Sequence, residues 1–175
     1  VTDGMKSDGL GQVPDGGTEP LVEYPESLCN MVATAPAAPT GTNYAGFEDR
    51  FEGEWGHKPG LFTVTSYDAT YLAAYAAVAA GAAGQAVTGA SLAEGLMRLS
   101  EGTKVEPGSS DFVDGKAILA NGGAEGTIDY AGASGELNFD PSTGEAPGEV
   151  ESFRYNIDEE AFVSTGVILG FDEAG

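Results

Sequence analysis

Leu61–Ala83 reads LFTVTSYDATYLAAYAAVAAGAA, and the remainder of the chain is organised outward from it. Its first five residues, Leu61-Phe62-Thr63-Val64-Thr65, have the composition of a short strand, with a turn expected at Ser66. From Tyr67 onward the spacing is helical. Tyr67, Tyr71, Ala74, Tyr75, Val78 and Ala82 fall on one side, and Leu72, Ala76 and Ala79 on another. A helix with no polar face is buried between layers. Spanning a membrane takes about 20 strongly apolar residues, and this alanine-rich run is too short and too weakly apolar for that. Ser66-Tyr67-Asp68 then stands at a strand-to-helix junction, where α/β proteins hold ligands.

The chain has 175 residues, enough for one ordinary domain with a core of its own. A hydrophobic content of 41% argues against disorder, while 27 Gly and 9 Pro promise many turns. Acidic residues number 28 against 7 basic ones, a formal net charge of −21. Such a surface repels nucleic acid and anionic membrane, so neither is expected as a partner. The charge reads as a solubility or high-salt adaptation, or alternatively as a steering field for cationic ligands or a calcium site. Cys29 is the only cysteine, which excludes an internal disulfide and a cysteine zinc cluster. The start, VTDGMKSDG, has neither the basic residues nor the apolar core of a signal peptide. Val1-Thr2-Asp3-Gly4 reads instead as the tail of a strand entering a turn, as in a piece of a longer chain.

Upstream of the central stretch, Ser7–Pro20 (SDGLGQVPDGGTEP) has loop composition. Leu28–Ala33 reads as a buried strand, and APAAPTGT as an extended connector, because each proline disfavours helix in the residue before it. Asn43–Trp55 places Tyr44, Phe47, Phe51 and Trp55 at helical spacing, ended by Gly56. Downstream, Thr88-Gly89-Ala90-Ser91 supplies an N-cap for a helix carrying Leu92, Leu96, Met97 and Leu99 inward. Ser110–Ala120 reads as a further helix with Phe112, Val113, Ile118 and Leu119 inside. Strands are expected at Thr127–Tyr130, Glu136–Phe139, Val150–Ile157 and Ala161–Leu169, the last two antiparallel. The fold class is therefore α/β with a terminal antiparallel strand addition.

No catalytic constellation stands out. His57, the sole histidine, lies in a polar turn, and no nucleophile elbow, phosphate loop or paired metal-binding histidines occur. Ala120–Gly126 (ANGGAEG) lacks a preceding strand and a lysine, so it reads as a helix stop. Asp140–Glu145 (DPSTGE) lacks the alternating ligands of a calcium loop. No enzyme activity, metal or cofactor is expected. Asp3 ends an apparent strand, where a carboxylate can receive a ligand's ammonium group.

The order VTDGMKS, LCNMVATAPAAP, NYAGFEDRFEGEWGHKP, SYDATYLAAYAAVAA and GTIDYAGASGELNFDPSTGE resembles a known family. It is similar to the carboxy-terminal part of the branched-chain amino-acid (Leu/Ile/Val-binding) substrate-binding proteins of ABC importers, which have the type I periplasmic-binding fold. The YDA helix and the GASG-x-L-x-FD-x-x-x-G ending are its most specific pieces. The resemblance implies that residues 1–35 end a second lobe and 36–42 form a hinge crossing. Residues 43–175 would return to the first lobe and the hinge strands. It also implies that the amino-terminal half, with its export signal and much of the ligand site, lies outside this sequence.

Carried over by position, Asp3 would bind a ligand's amino group. Cys29, with Asn30 after it, falls where amino-acid binders often carry an acidic residue, a departure that puts an α-amino-acid ligand in question. Phe62 and Tyr67 would face the cleft from the first lobe. The implied partners are a small amino-acid-like or amide ligand and a membrane permease, in a periplasmic or extracellular setting, with a lipid anchor or export signal upstream. A ligand-sensing receptor domain of the same fold is the alternative. Exposed lobe contacts would further favour a homodimer.

Overall fold

The computed structural model describes residues 25–60, 62–159 and 161–171. Its elements are mixed α and β, and they fall into two compact units, Val1–Ala38 with Gly148–Gly175, and Pro39–Pro147. The change of unit falls inside the proline-punctuated connector. Asp3 and the Ser7–Pro20 loop lie outside the described residues.

The first unit is built on an antiparallel sheet. Strand β1 (Val32–Pro36), β4 (Gly148–Asn156) and β5 (Ala161–Phe171) lie in the order β1-β4-β5. Period-two alternation along β4 turns Glu151, Phe153 and Tyr155 inward and leaves Arg154 exposed. Register sets Ala33 opposite Phe153 and Phe162 opposite Tyr155, and these residues with Leu28 and Ala35 form the unit's apolar core. The expected β4–β5 pairing is present. The strand expected at Leu28–Ala33 is not: Pro25–Asn30 winds into a 3-10 turn, Met31 N–H bonds Leu28 O at 2.9 Å, and the strand starts only at Val32. Burying Leu28 against β4 and β5 from a turn outweighs the extended preference of its neighbours.

The second unit holds α1 (Thr42–Trp55), α2 (Thr63–Ala82), α3 (Gly89–Leu96), β2 (Thr103–Val105), α4 (Ser109–Asn121) and β3 (Ile128–Tyr130). Strands β2 and β3 pair in parallel around α4, with Val105 opposite Tyr130. Helix α2 is the centre, as its all-round apolarity requires. Tyr75, Ala76, Ala79 and Ala80 are buried, and Tyr75 and Ala79 join Leu99, Val105, Leu119, Ile128 and Tyr130 in one core. Small residues set the helix spacing. A Cβ on Gly95 of α3 would come within 2.6 Å of Ala76 O, and one on Gly115 of α4 within 2.8 Å of Tyr75 Oη. At the far end of α2, Arg98 donates from Nε to Gly126 O (2.7 Å) and from Nη1 to Ala79 O (2.8 Å). Its Nη2 donates to Gly123 O (2.7 Å), so one guanidinium serves the C-terminal carbonyls of α2 and of the turn after α4.

Several local expectations hold. Gly56 ends α1 in the left-handed conformation, and Gly122 caps α4 at the glycine-rich helix stop. Thr88 and Ser91 form a reciprocal capping box on α3.

Others are corrected. Leu61–Thr65 forms no strand among the described residues, because α2 already begins at Thr63. Val64 gains burial against Phe47 and Ala133, and this packing overrides its β propensity. Ser66-Tyr67-Asp68 therefore lies inside the helix and not at a strand-to-helix junction. Glu136–Phe139 makes only an isolated bridge from Glu136 to Ala131, while Phe139 N–H bonds Ser100 Oγ at 2.8 Å. Met97 and Val113 are exposed. The close approach of α2 turns Ser91 and Gly95 of α3 inward, and Tyr75 turns Gly115 of α4 inward. No helix among the described residues is long and apolar enough to cross a membrane.

Candidate functional site

An aspartate in the second turn of an otherwise apolar helix is costly unless donors surround it. Asp68 is 1% exposed, and four donors converge on it. Tyr130 Oη donates to Oδ1 at 3.0 Å and Ala133 N–H to the same oxygen at 2.9 Å. Ser134 donates to Oδ2 from both its backbone N–H and its Oγ, each at 2.6 Å. The loop has to be stripped to backbone for this approach, since a Cβ on Gly132 would lie 2.5 Å from Oδ2. Burial, and then the Asp68 charge, push the Tyr130 phenol well above its ordinary pKa, so it stays protonated as a donor. The carboxylate has donors on both oxygens and no solvent-facing side, so its role is to clasp α2 to the loop after β3.

The clasp fixes the start of α2, where Phe62 stands. Phe62 is the N-cap of α2 at φ 67°, and among the described residues it is the one non-glycine residue with positive φ. Its carbonyl accepts from Ser66 N–H and Thr65 Oγ, both at 2.9 Å, which holds the turn closed. The residue is 42% exposed. A large side chain held in the left-handed region and turned toward solvent is the kind of strain found at ligand clamps.

A run of rings connects this end to the core. Trp55, Phe51, Phe47, Tyr67 and Tyr71 follow one another with centroids 6.3, 5.8, 4.9 and 5.1 Å apart. Tyr71 then stacks on Tyr130 at 5.9 Å. Tyr67 is thus half-buried between Phe47 and Tyr71, and its hydroxyl donates to Tyr71 Oη at 3.4 Å.

The remaining expected site residues lie elsewhere. Cys29 and Asn30 are exposed at the end of the 3-10 turn in the first unit, Phe62 and Tyr67 belong to the second, and Asp3 is outside the described residues. His57 is an exposed turn residue whose Nδ1 is 2.8 Å from Lys58 O. Asp140 closes a turn on itself through Ser142 N–H and Oγ, both at 2.6 Å, which holds its carboxyl below the usual range. Among the described residues no three His, Cys, Asp or Glu side chains gather to hold a metal.

Sequence reading did not find the partnership of Asp68 with Tyr130, Ala133 and Ser134. The available signal was a lone charge within an apolar helix, paired with a distant Gly-Ala-Ser-Gly loop able to supply backbone donors. Comparison with family models, curated proteins and solved structures finds no match for the chain.

Proposed function

We propose that the chain is the carboxy-terminal portion of a solute-binding component of an ABC importer, with the two-lobed type I periplasmic-binding fold. In this reading it binds a small amino-acid-like or amide ligand by hinge closure. A ligand that touches both lobes favours the closed state through its differential affinity. The observation that carries the reading is Phe62, an exposed aromatic residue held at positive φ at the start of α2, at a position that the family resemblance assigns to the cleft. The clasp adds support, because it joins Tyr67-Asp68-Ala69 to Gly132-Ala133-Ser134-Gly135, the two most family-specific pieces of the sequence. Polar anchors would fix the ligand's ends while Phe62 covers its body.

The protein would act in the periplasm or outside the cell, delivering ligand to a membrane permease. An acidic surface with a charge of −21 suits neither nucleic acid nor an anionic bilayer. The test is a thermal-shift panel of amino acids and amides on the product of the complete reading frame. One class of ligand is expected to raise Tm, and Phe62→Ala to remove that rise while leaving the unliganded Tm in place. A full panel without any shift rejects the reading.

A further inference from the structure

The two edges of the antiparallel sheet differ in how they are protected. Strand β1 is five residues long and ends in Pro36, which has no N–H to offer a neighbour. Strand β5 runs for eleven residues, AFVSTGVILGF, with no proline and no charged residue, in a chain with 28 acidic side chains. Among the described residues it has no neighbour on its outer edge. Val167, Ile168 and Leu169 are 52%, 54% and 57% exposed. Successive strand residues point to opposite faces, so both faces are open here as well as the edge.

A bulge divides β5. Three of its residues, Thr165, Gly166 and Val167, stand opposite Ser152, with Gly166 at φ 78° and Thr165 Oγ bonded to Ser152 O at 3.1 Å. The bulge bends the strand and leaves Ile168–Phe171 as one regular segment, in register with Gly148–Glu151 of β4.

We infer that this segment pairs with the same segment of a second copy, antiparallel and isologous, extending the two three-stranded sheets into one. Charge selects this occupant. A partner presenting acidic residues would meet an uncharged edge with nothing to offset their desolvation. A second copy brings an edge as uncharged as the first. A two-fold contact closes at two copies. Repulsion between two bodies of charge −21 opposes it, so pairing depends on screening.

Sedimentation velocity on the 175-residue chain tests the inference. A monomer is expected at about 0.1 M NaCl, where the screening length is about 10 Å, and a dimer at about 1 M, where it is about 3 Å. Leu169→Glu places a carboxylate in the interface and should weaken the high-salt dimer by roughly tenfold or more. Val113→Glu, at an exposed residue of α4, should leave it unchanged, and circular dichroism checks that both variants are folded. A chain that stays monomeric at high salt overturns the proposal. So do assembly beyond two copies, a dimer indifferent to Leu169→Glu, and equal loss with Val113→Glu.

Discussion

Replacing Asp68 by asparagine keeps the shape of the side chain and changes only what the clasp can accept. The amide oxygen can still take Tyr130 Oη–H and Ala133 N–H, but as neutral bonds. Hydrogen bonds to charged groups contribute about 1.5–3 kcal/mol and neutral ones about 1, so that side loses roughly 2 kcal/mol. The amide NH2 then faces Ser134, whose Oγ can turn to accept but whose backbone N–H cannot. Leaving that N–H buried and unpaired costs about 1–3 kcal/mol more. The sum, about 3–5 kcal/mol, is a large fraction of the roughly 5–15 kcal/mol that holds a domain folded. All four α-helices of the described residues belong to the second unit, so urea unfolding followed by far-ultraviolet circular dichroism reads that unit. Tyr130→Phe removes a single donor and should cost about 1.5–3 kcal/mol alone, but less in the Asp68→Asn background. Coupling of about 1 kcal/mol or more is therefore expected in the double-mutant cycle. An Asp68→Asn cost below about 1 kcal/mol, or strict additivity with Tyr130→Phe, would refute the clasp as a charge-assisted unit.

Three further outcomes follow from the second unit. Burial, with the Asp111 charge second, pushes Tyr75 up to about 12, and burial likewise pushes Tyr71 to about 12. An unfolded tyrosine ionises near pH 10, so the raised values stabilise the fold fully below that pH, and the stability is lost as pH rises toward about 12. The fully buried Tyr75 adds a slope of about 1.4 kcal/mol per pH unit in this window; tyrosinate absorbance should appear with unfolding, and a urea midpoint unchanged between about pH 9 and about pH 11 would contradict this. Gly95→Ala should destabilise by about 1–3 kcal/mol, because its Cβ meets Ala76 O at 2.6 Å. Gly81→Ala, in the same unit with open space at its Cβ, should stabilise by up to about 1 kcal/mol; identical signs for the two in urea titrations would count against the packing argument. Phe62→Gly should raise unliganded Tm relative to Phe62→Ala, since glycine alone relieves about 1–2 kcal/mol of left-handed strain, and equal Tm values would show that no strain is stored.

Elements whose signals are local were legible in the sequence. The capping pair Thr88 and Ser91, the stop glycines Gly56 and Gly122, and the alternation through β4 need only near neighbours to act. Readings failed where a distant surface decided the outcome. Thr63-Val64-Thr65 has strand composition, yet Val64 is drawn into helix by Phe47 and Ala133, residues well removed in sequence. Met97 and Val113 look like core residues until the close approaches at Gly95 and Gly115 select the inward faces. At the candidate site, the positive φ of Phe62 was not legible, because the left-handed region is uncommon for a bulky residue.

The clasp and the strained aromatic act on the same turns of α2. Phe62 and Asp68 lie on the same short stretch of chain, the one at the cap of α2 and the other in its second turn. The strain at Phe62 costs about 1–2 kcal/mol, and strain persists only where the surroundings over-determine it. The four bonds to Asp68 and the burial of Val64 supply that over-determination, because neither leaves the first turns of α2 free to unwind. Loosening the clasp with Asp68→Asn should therefore release Phe62 as well, seen as loss of amide-exchange protection across the first turn of α2 before the rest of the helix. Protection lost uniformly along Thr63–Ala82 would instead make the clasp a global fastening, with no special hold on the aromatic at the helix mouth.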